Sequence, residues 1–346
     1  MAYTTINKSS LHFNTVTYTG NGSTQNITGV GFQPDLVWAK RRSADGWHFW
    51  TDAVRGAGKV VYSNRTDAEF TDTDSSDINS FLSDGFSVGS NADINGNGQT
   101  HVGWNWKANG AGSANTDGTI NSTVSVNTTA GFSIVKYTGT GSNATVGHGL
   151  GAVPKWIIVK NLSASGNSWC VYHSGIGNTA AAFLEGTVVP HAHVDYWNNT
   201  SPTSSVFYIG AGTGTNGNGN NLIAYCFAEK TGYSKFGSYT GNGSSSSPTF
   251  IYTGFKPKFV MVKVTNEADD WFMQDNKRDG YNDDNEWLQA SNANAEGTNN
   301  NRVRLLSNGF SVPTTDKSHN KNGNSYIYMA FGQSLVGSNN VPCTAR

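Results

Sequence analysis

Nothing restricts the fold of this chain more than its self-similarity. Four landmarks recur three times in the same order along 346 residues. The first is a strand ending in Tyr-Thr-Gly-x-Gly, at Tyr18, Tyr137 and Tyr239. The second is a proline leading an apolar run that ends in lysine: Pro34 to Lys40, Pro154 to Lys160 and Pro257 to Lys263. The third is a tryptophan opening a short aromatic strand, at Trp47, Trp169 and Trp271. The fourth is a glycine (Gly98, Gly219, Gly323) standing eight residues before Trp106, Phe227 and Phe331. The prolines are 120 and 103 residues apart, and a Gly/Ser/Asn-rich stretch at 108–131, read as a linker, makes the first interval the longer one. The expected organisation is repeat one at 1–107, a linker at 108–131, repeat two at 132–230, repeat three at 233–336 and a C-terminal tail at 337–346. Repeats two and three abut near Thr231-Gly232, and repeat one stands apart as a more separate unit.

Each copy holds about six to eight short runs with strand character, and none shows sustained helical periodicity. Gly alone fills 41 positions and aromatics make up 12%. Turn formers between aromatic and β-branched strands are the composition of a β protein. Runs such as Trp156-Ile-Ile-Val and Phe259-Val-Met-Val read as fully buried strands. The fold class expected is all-β: three tandem β-sandwich, jelly-roll-like domains.

A net charge of −1 argues against a nucleic-acid partner, and no apolar run approaches the length of a spanning helix, which argues against membrane insertion. The N-terminus lacks the regions of a signal peptide, so folding in a cytosol is expected. Cys170, Cys226 and Cys343 form neither a disulfide framework nor a metal spacing, and small buried hydrophobe is the reading for the first two.

No catalytic residues, cofactor or metal are expected. Asp52 and Arg55 follow Trp47, and Asp275 and Arg278 follow Trp271, but repeat two has His173 and Ser174 there, so a structural ion pair is the favoured reading. His191, His193 and Asp195 alternate as metal ligands on one strand face would, a weak signal by itself. The acidic stretch Asp67, Glu69, Asp72, Asp74 and Asp77 lacks the ordered spacing of a calcium loop. Gly212-Thr-Gly214-Thr-Asn-Gly217 matches a dinucleotide fingerprint in letters only and is read as a loop, because no helix follows. Trp47, Trp50, Trp104 and Trp197 are candidates for a sugar-stacking surface, with core packing the stronger reading for each.

Taken as a set, these motifs resemble a known repeat. They are Tyr-Thr-Gly-x-Gly, Gly31-Phe-Gln-Pro34-Asp-Leu-Val-Trp38-Ala-Lys40, Asp52-Ala-Val-Arg55-Gly56, Asp84-Gly-Phe-Ser-Val-Gly89 and Trp104-Asn-Trp106-Lys-Ala. Asn115-Thr-Asp-Gly-Thr-Ile and Val146-Gly-His148-Gly-Leu150-Gly belong with them. The combination resembles repeat-containing virion structural proteins of tailed bacteriophages, frequent in marine and cyanobacterial phages. The resemblance implies a particle component such as a tail fibre, baseplate or other appendage, with no reaction and no ligand residues. Copy three departs most: Asp279 follows Arg278, and the middle section, Asp283 to Asn301, is rich in Asn and Asp, which puts a shared role for the Asp–Arg–Gly segment in doubt.

The expected function is therefore a non-enzymatic tail-fibre or appendage subunit for host attachment, localised to the virion. Its expected partners are other virion proteins, further copies of itself as a homotrimer, and a host surface glycan or protein. A capsid decoration protein, a glycan depolymerase of a phage spike and a carbohydrate-binding lectin stand as alternatives.

Overall fold

The computed structural model describes residues 3–278, 286–298 and 301–337. Strands account for 43% and helices for 5%, and every sheet pairing is antiparallel. Each copy stacks a large sheet on a small one, which is the expected sandwich. The large sheets share a four-strand centre in the same order. An opening strand (Phe13–Thr19, Phe132–Thr138, Ser234–Thr240) pairs with a closing strand (Thr100–Trp106, Asn221–Phe227, Ser325–Gln333). The closing strand pairs with the proline strand (Leu36–Arg41, Trp156–Asn161, Lys256–Val264). The proline strand pairs with a third strand (His48–Asp52, Cys170–His173, Phe272–Asp275).

The first landmark is a lock at one end of this centre. Tyr18, Tyr137 and Tyr239 donate their hydroxyls to the carbonyls of Ile94, Thr215 and His319. The next residue in each case is a buried asparagine. Asn95, Asn216 and Asn320 each accept a backbone N–H from the turn after Tyr-Thr-Gly and donate to two backbone carbonyls. The glycine is obligatory, because a Cβ on Gly20, Gly139 or Gly241 would lie 2.2, 2.3 or 2.4 Å from a backbone oxygen of the facing turn. The supposed dinucleotide fingerprint is this same turn in copy two, wound into the single-turn helix Thr213–Asn216 rather than left as an open loop.

The apolar runs are continuous because each proline strand is buried on both faces, and alternation divides its side chains between two cores. Val37 and Ala39 face the small sheet of copy one, Ile157 and Val159 that of copy two, and Val260 and Val262 that of copy three. The alternate residues Leu36, Trp38, Trp156, Ile158, Phe259 and Met261 join one central cluster formed by all three copies. At its middle, Trp106, Phe227 and Phe331 meet as a triangle of rings, with centroids 6.4, 5.8 and 5.9 Å apart. The three large sheets therefore pack around a pseudo-threefold axis, and the fourth landmark marks that axis.

This arrangement corrects two expectations. Residues 108–131 are not a spacer: Ser113–Asn115 and Ser122–Asn127 are strands added to the edge of copy two's large sheet. Nor is copy one separate, since its lead-in segment is bound to copy three. Tyr3 donates to the Gly254 carbonyl at 2.8 Å, the Ser9 amide donates to the Gln333 side chain at 2.7 Å, and Ile6 is buried in the central cluster.

Candidate functional site

The Asp–Arg pairs come to equivalent places, each at an interface between copies. Asp52 Oδ1 accepts the amides of Val54 and Arg55, and Asp275 Oδ1 those of Lys277 and Arg278. Each Oδ2 takes the arginine Nε, at 2.5 Å from Arg55 and 2.7 Å from Arg278. Each guanidinium also reaches a carbonyl two residues before the aspartate, that of Trp50 or Met273 at 2.9 Å, and a glutamate, Glu69 or Glu296. The remaining partner comes from the next copy: Tyr225 donates its hydroxyl to Asp52 at 2.8 Å, and Trp104 donates Nε1 to Asp275 at 2.9 Å. Both pairs are buried and line neither of the clefts found among the described residues, so they act as clamps.

Copy two lacks the pair because its neighbour lacks the donor. His173 is the counterpart of Asp52 and Asp275, as each pairs with the corresponding residue of the proline strand. Met329 of copy three occupies the rung of Tyr225 and Trp104. A thioether cannot donate, so a carboxylate there would be buried without its third partner. Ile176 stands three residues on, where the other copies have arginine, and packs on the central cluster. Burial pushes the His173 imidazole down to about 3, so it stays neutral. Ser174 is exposed and joins no side-chain constellation.

The lysines that end the proline strands form a second set of clamps that sequence reasoning passed over. Lys40, Lys160 and Lys263 are fully buried. Each ammonium donates to a carbonyl of its own copy (Arg41, Asn167, Asp269) and to one of the preceding copy in the ring (Ala293, Thr66, Thr187). Burial lowers all three from the usual lysine range to about 8.

The tryptophan landmark also crosses interfaces, with one correction. Trp169 donates Nε1 to the carbonyls of Tyr62 and Arg65, and Trp271 to that of Phe183. Strand register makes His48, not Trp47, their counterpart. Trp47 stands one position earlier, at the surface. Of the other sugar-platform candidates, Trp50 and Trp104 lie in the central cluster and Trp197 in the core of copy two.

His191, His193 and Asp195 do not assemble a metal site. His191 bonds Tyr196, while His193 caps the helix Val194–Trp197 through the Asp195 amide. Among the described residues, no three His, Cys, Asp or Glu side chains are grouped as a metal would require. Cys170 and Cys226 are buried in copy two, where burial pushes both thiols up. Cys343, Asp279 and Asp283 lie outside the described residues.

The acidic stretch and Trp47 do meet. Trp47 and four of these carboxylates, Asp67, Glu69, Asp74 and Asp77, line a surface cleft of about 520 Å³, mostly on copy one, with Ser165 of copy two in its wall beside Tyr62, Phe70 and Asn91. Trp47 is 38% and Phe70 50% exposed. Tyr62 meets the Trp47 ring edge-on at 4.9 Å, and the Arg65 guanidinium lies 4.3 Å from its centre. The carboxylates of Asp72 and Asp74 cap backbone amides within the loop. Asp77 is pushed up to about 6, first by burial and then by Asp72, Asp74 and Asp93, against the pull of its hydrogen bond from Asn91.

Residues 8–334 match a family model described as a domain of unknown function, DUF7483. The chain belongs to the DUF7483 family. One model thus spans all three copies, in keeping with a single closed ring. A search of curated proteins found no match for this DUF7483 chain.

Proposed function

We propose that this DUF7483 chain is a non-enzymatic structural protein of a bacteriophage particle, a tail-fibre or appendage subunit that serves host attachment. The observation that carries the reading is where the repeated polar residues are used. The Asp–Arg pairs, the three lysines and the three asparagines all bind backbone or one another inside the protein. Among the described residues none of these repeated groups lines a described cleft, whereas catalysis needs titratable groups held at one. The peripheral loops differ from copy to copy, as suits recognition carried on a fixed frame. The resemblance of the motifs to phage virion repeats supports the particle context. The homotrimer remains the expected assembly in this proposal, each chain being a ring closed on itself.

The test is mass spectrometry and antibody-labelled electron microscopy of purified particles of a phage encoding the chain. Stoichiometric presence with label at the tail supports the reading. Label over the capsid shell would turn it into decoration, and absence from particles would refute it. Release of reducing ends from host polysaccharide, abolished by Asp74→Asn or Asp77→Asn, would make it a depolymerase instead.

A further inference from the structure

We infer that the cleft bounded by Trp47 and Phe70 is a binding site for a non-anionic glycan, one bearing hydroxyls or free amines but no carboxylate or sulfate. The inference rests on the attachment reading and names the ligand class of that same site. Three observations lead to it. The first is that Trp47 joins none of the clamps between copies: Tyr62 and the Arg65 guanidinium pack on its ring from within copy one and leave part of it free. Its neighbour His48 fills the place that Trp169 and Trp271 occupy in the other copies, leaving the Trp47 ring 38% exposed at the cleft. The second is that Phe70, on the two-residue strand Phe70–Thr71, is 50% exposed in the same wall, although a ring of that size gains by burial. Two accessible rings in one concavity of about 520 Å³ suit a sugar, whose C–H faces stack on rings. The third concerns charge. Four carboxylates line the cleft; Asp67 is paired with Arg65 and Glu69 with Arg55 and Lys59, so Asp74 and Asp77 are the two with no cationic partner among the described residues, while Asn91 and Ser165 add neutral polar groups. Carboxylates accept hydrogen bonds from hydroxyls and ammonium groups and repel anionic sugars.

The test uses the full chain in isothermal titration against three probes: a neutral β-glucan oligosaccharide, a chitosan oligosaccharide and hyaluronan. Binding of either of the first two, no binding of hyaluronan, and at least tenfold weaker binding by Trp47→Ala and Phe70→Ala with unchanged melting temperature would support the site. Asp74→Asn should weaken chitosan binding more than glucan binding. Preference for hyaluronan, no binding of any probe, or binding that both aromatic variants leave intact would overturn it. Its failure is separable from that of the virion reading. A chain found in the particle tail that binds no probe refutes only the glycan site, and a chain that binds glycan yet is absent from particles refutes only the virion assignment.

Discussion

The inner faces of the three sheets and the outer loop of copy one use the same residue types to opposite ends. At the axis, aromatic rings and charged groups are enclosed and bonded across copies: Trp169 to Tyr62, Tyr225 to Asp52, Lys160 to Thr66. In the cleft, Trp47, Phe70 and Asp74 are exposed, while Asp72 and Asp74 also cap local turns and Asp77 is buried. The lysines and asparagines repeated in all copies, and the Asp–Arg pairs of two of them, hold the frame together, whereas the exposed rings of Trp47 and Phe70 belong to copy one alone. Function on this protein is therefore to be sought in what the copies do not share.

That contrast predicts a ladder of effects. The largest follows Asp275→Ala, which leaves the Arg278 guanidinium buried beside Glu296 without its main partner. Chemical denaturation should show a loss of about 3–5 kcal/mol. Trp106→Ala opens a cavity where the three rings meet and should cost a similar amount, about 3–5 kcal/mol, by the same measurement. A sharper test converts one interface into another. Asp52→His, Arg55→Ile and Tyr225→Met made together reproduce the His173, Ile176 and Met329 arrangement. The triple variant should lose less than about 1 kcal/mol, far less than Asp52→Ala alone, because a buried ionic group is replaced whole rather than broken.

A smaller effect is set by pH. The folded lysines, at about 8, lie below the ordinary 10.5 of the unfolded chain. Between those values the unfolded state holds protons that the folded state has released, so stability rises with pH through that window. The buried Cys170 and Cys226 thiols and Tyr137, with the half-buried Tyr18 and Tyr239, have raised values and oppose this trend, the thiols from about pH 8.5 and the tyrosines from about pH 10, where the unfolded groups ionise. Urea midpoints at pH 8.0 and 9.5 should therefore rise in the parent chain, and rise less in Lys160→Met. The smallest effect belongs to the outer loop: Phe70→Ala should change stability by no more than about 0.5 kcal/mol.

Much of the frame was legible in the sequence because backbone demands leave letters behind. The glycine of Tyr-Thr-Gly-x-Gly and the proline before each apolar run can be replaced by few residues, so they align. The asparagine lock was legible too, since Asn95, Asn216 and Asn320 stand three residues before the aligned glycines, yet in an Asn-rich chain each looked like turn composition. The ring was not legible. A strand buried on both faces shows no alternation, and an apolar face does not say what covers it. Trp47 was misplaced because a one-residue slip preserves the spacing while changing the face. Residues 108–131 read as a linker because Ser113–Asn115 is a short polar edge strand and Ser122–Asn127, though half buried, offers only Val124 and Val126 as apolar letters among Ser, Thr and Asn. The cleft was half legible: its acidic stretch and its tryptophan were both singled out, but only folding brings them to one wall.

The claim beneath all of this is that three copies make one body rather than three beads, and calorimetry tests it directly. Differential scanning calorimetry of the full chain should give a single transition whose calorimetric and van't Hoff enthalpies agree, as expected when the copies melt together around a shared core. Two or three resolved transitions, or a calorimetric enthalpy near three times the van't Hoff value, would show copies that unfold independently and would contradict the closed ring.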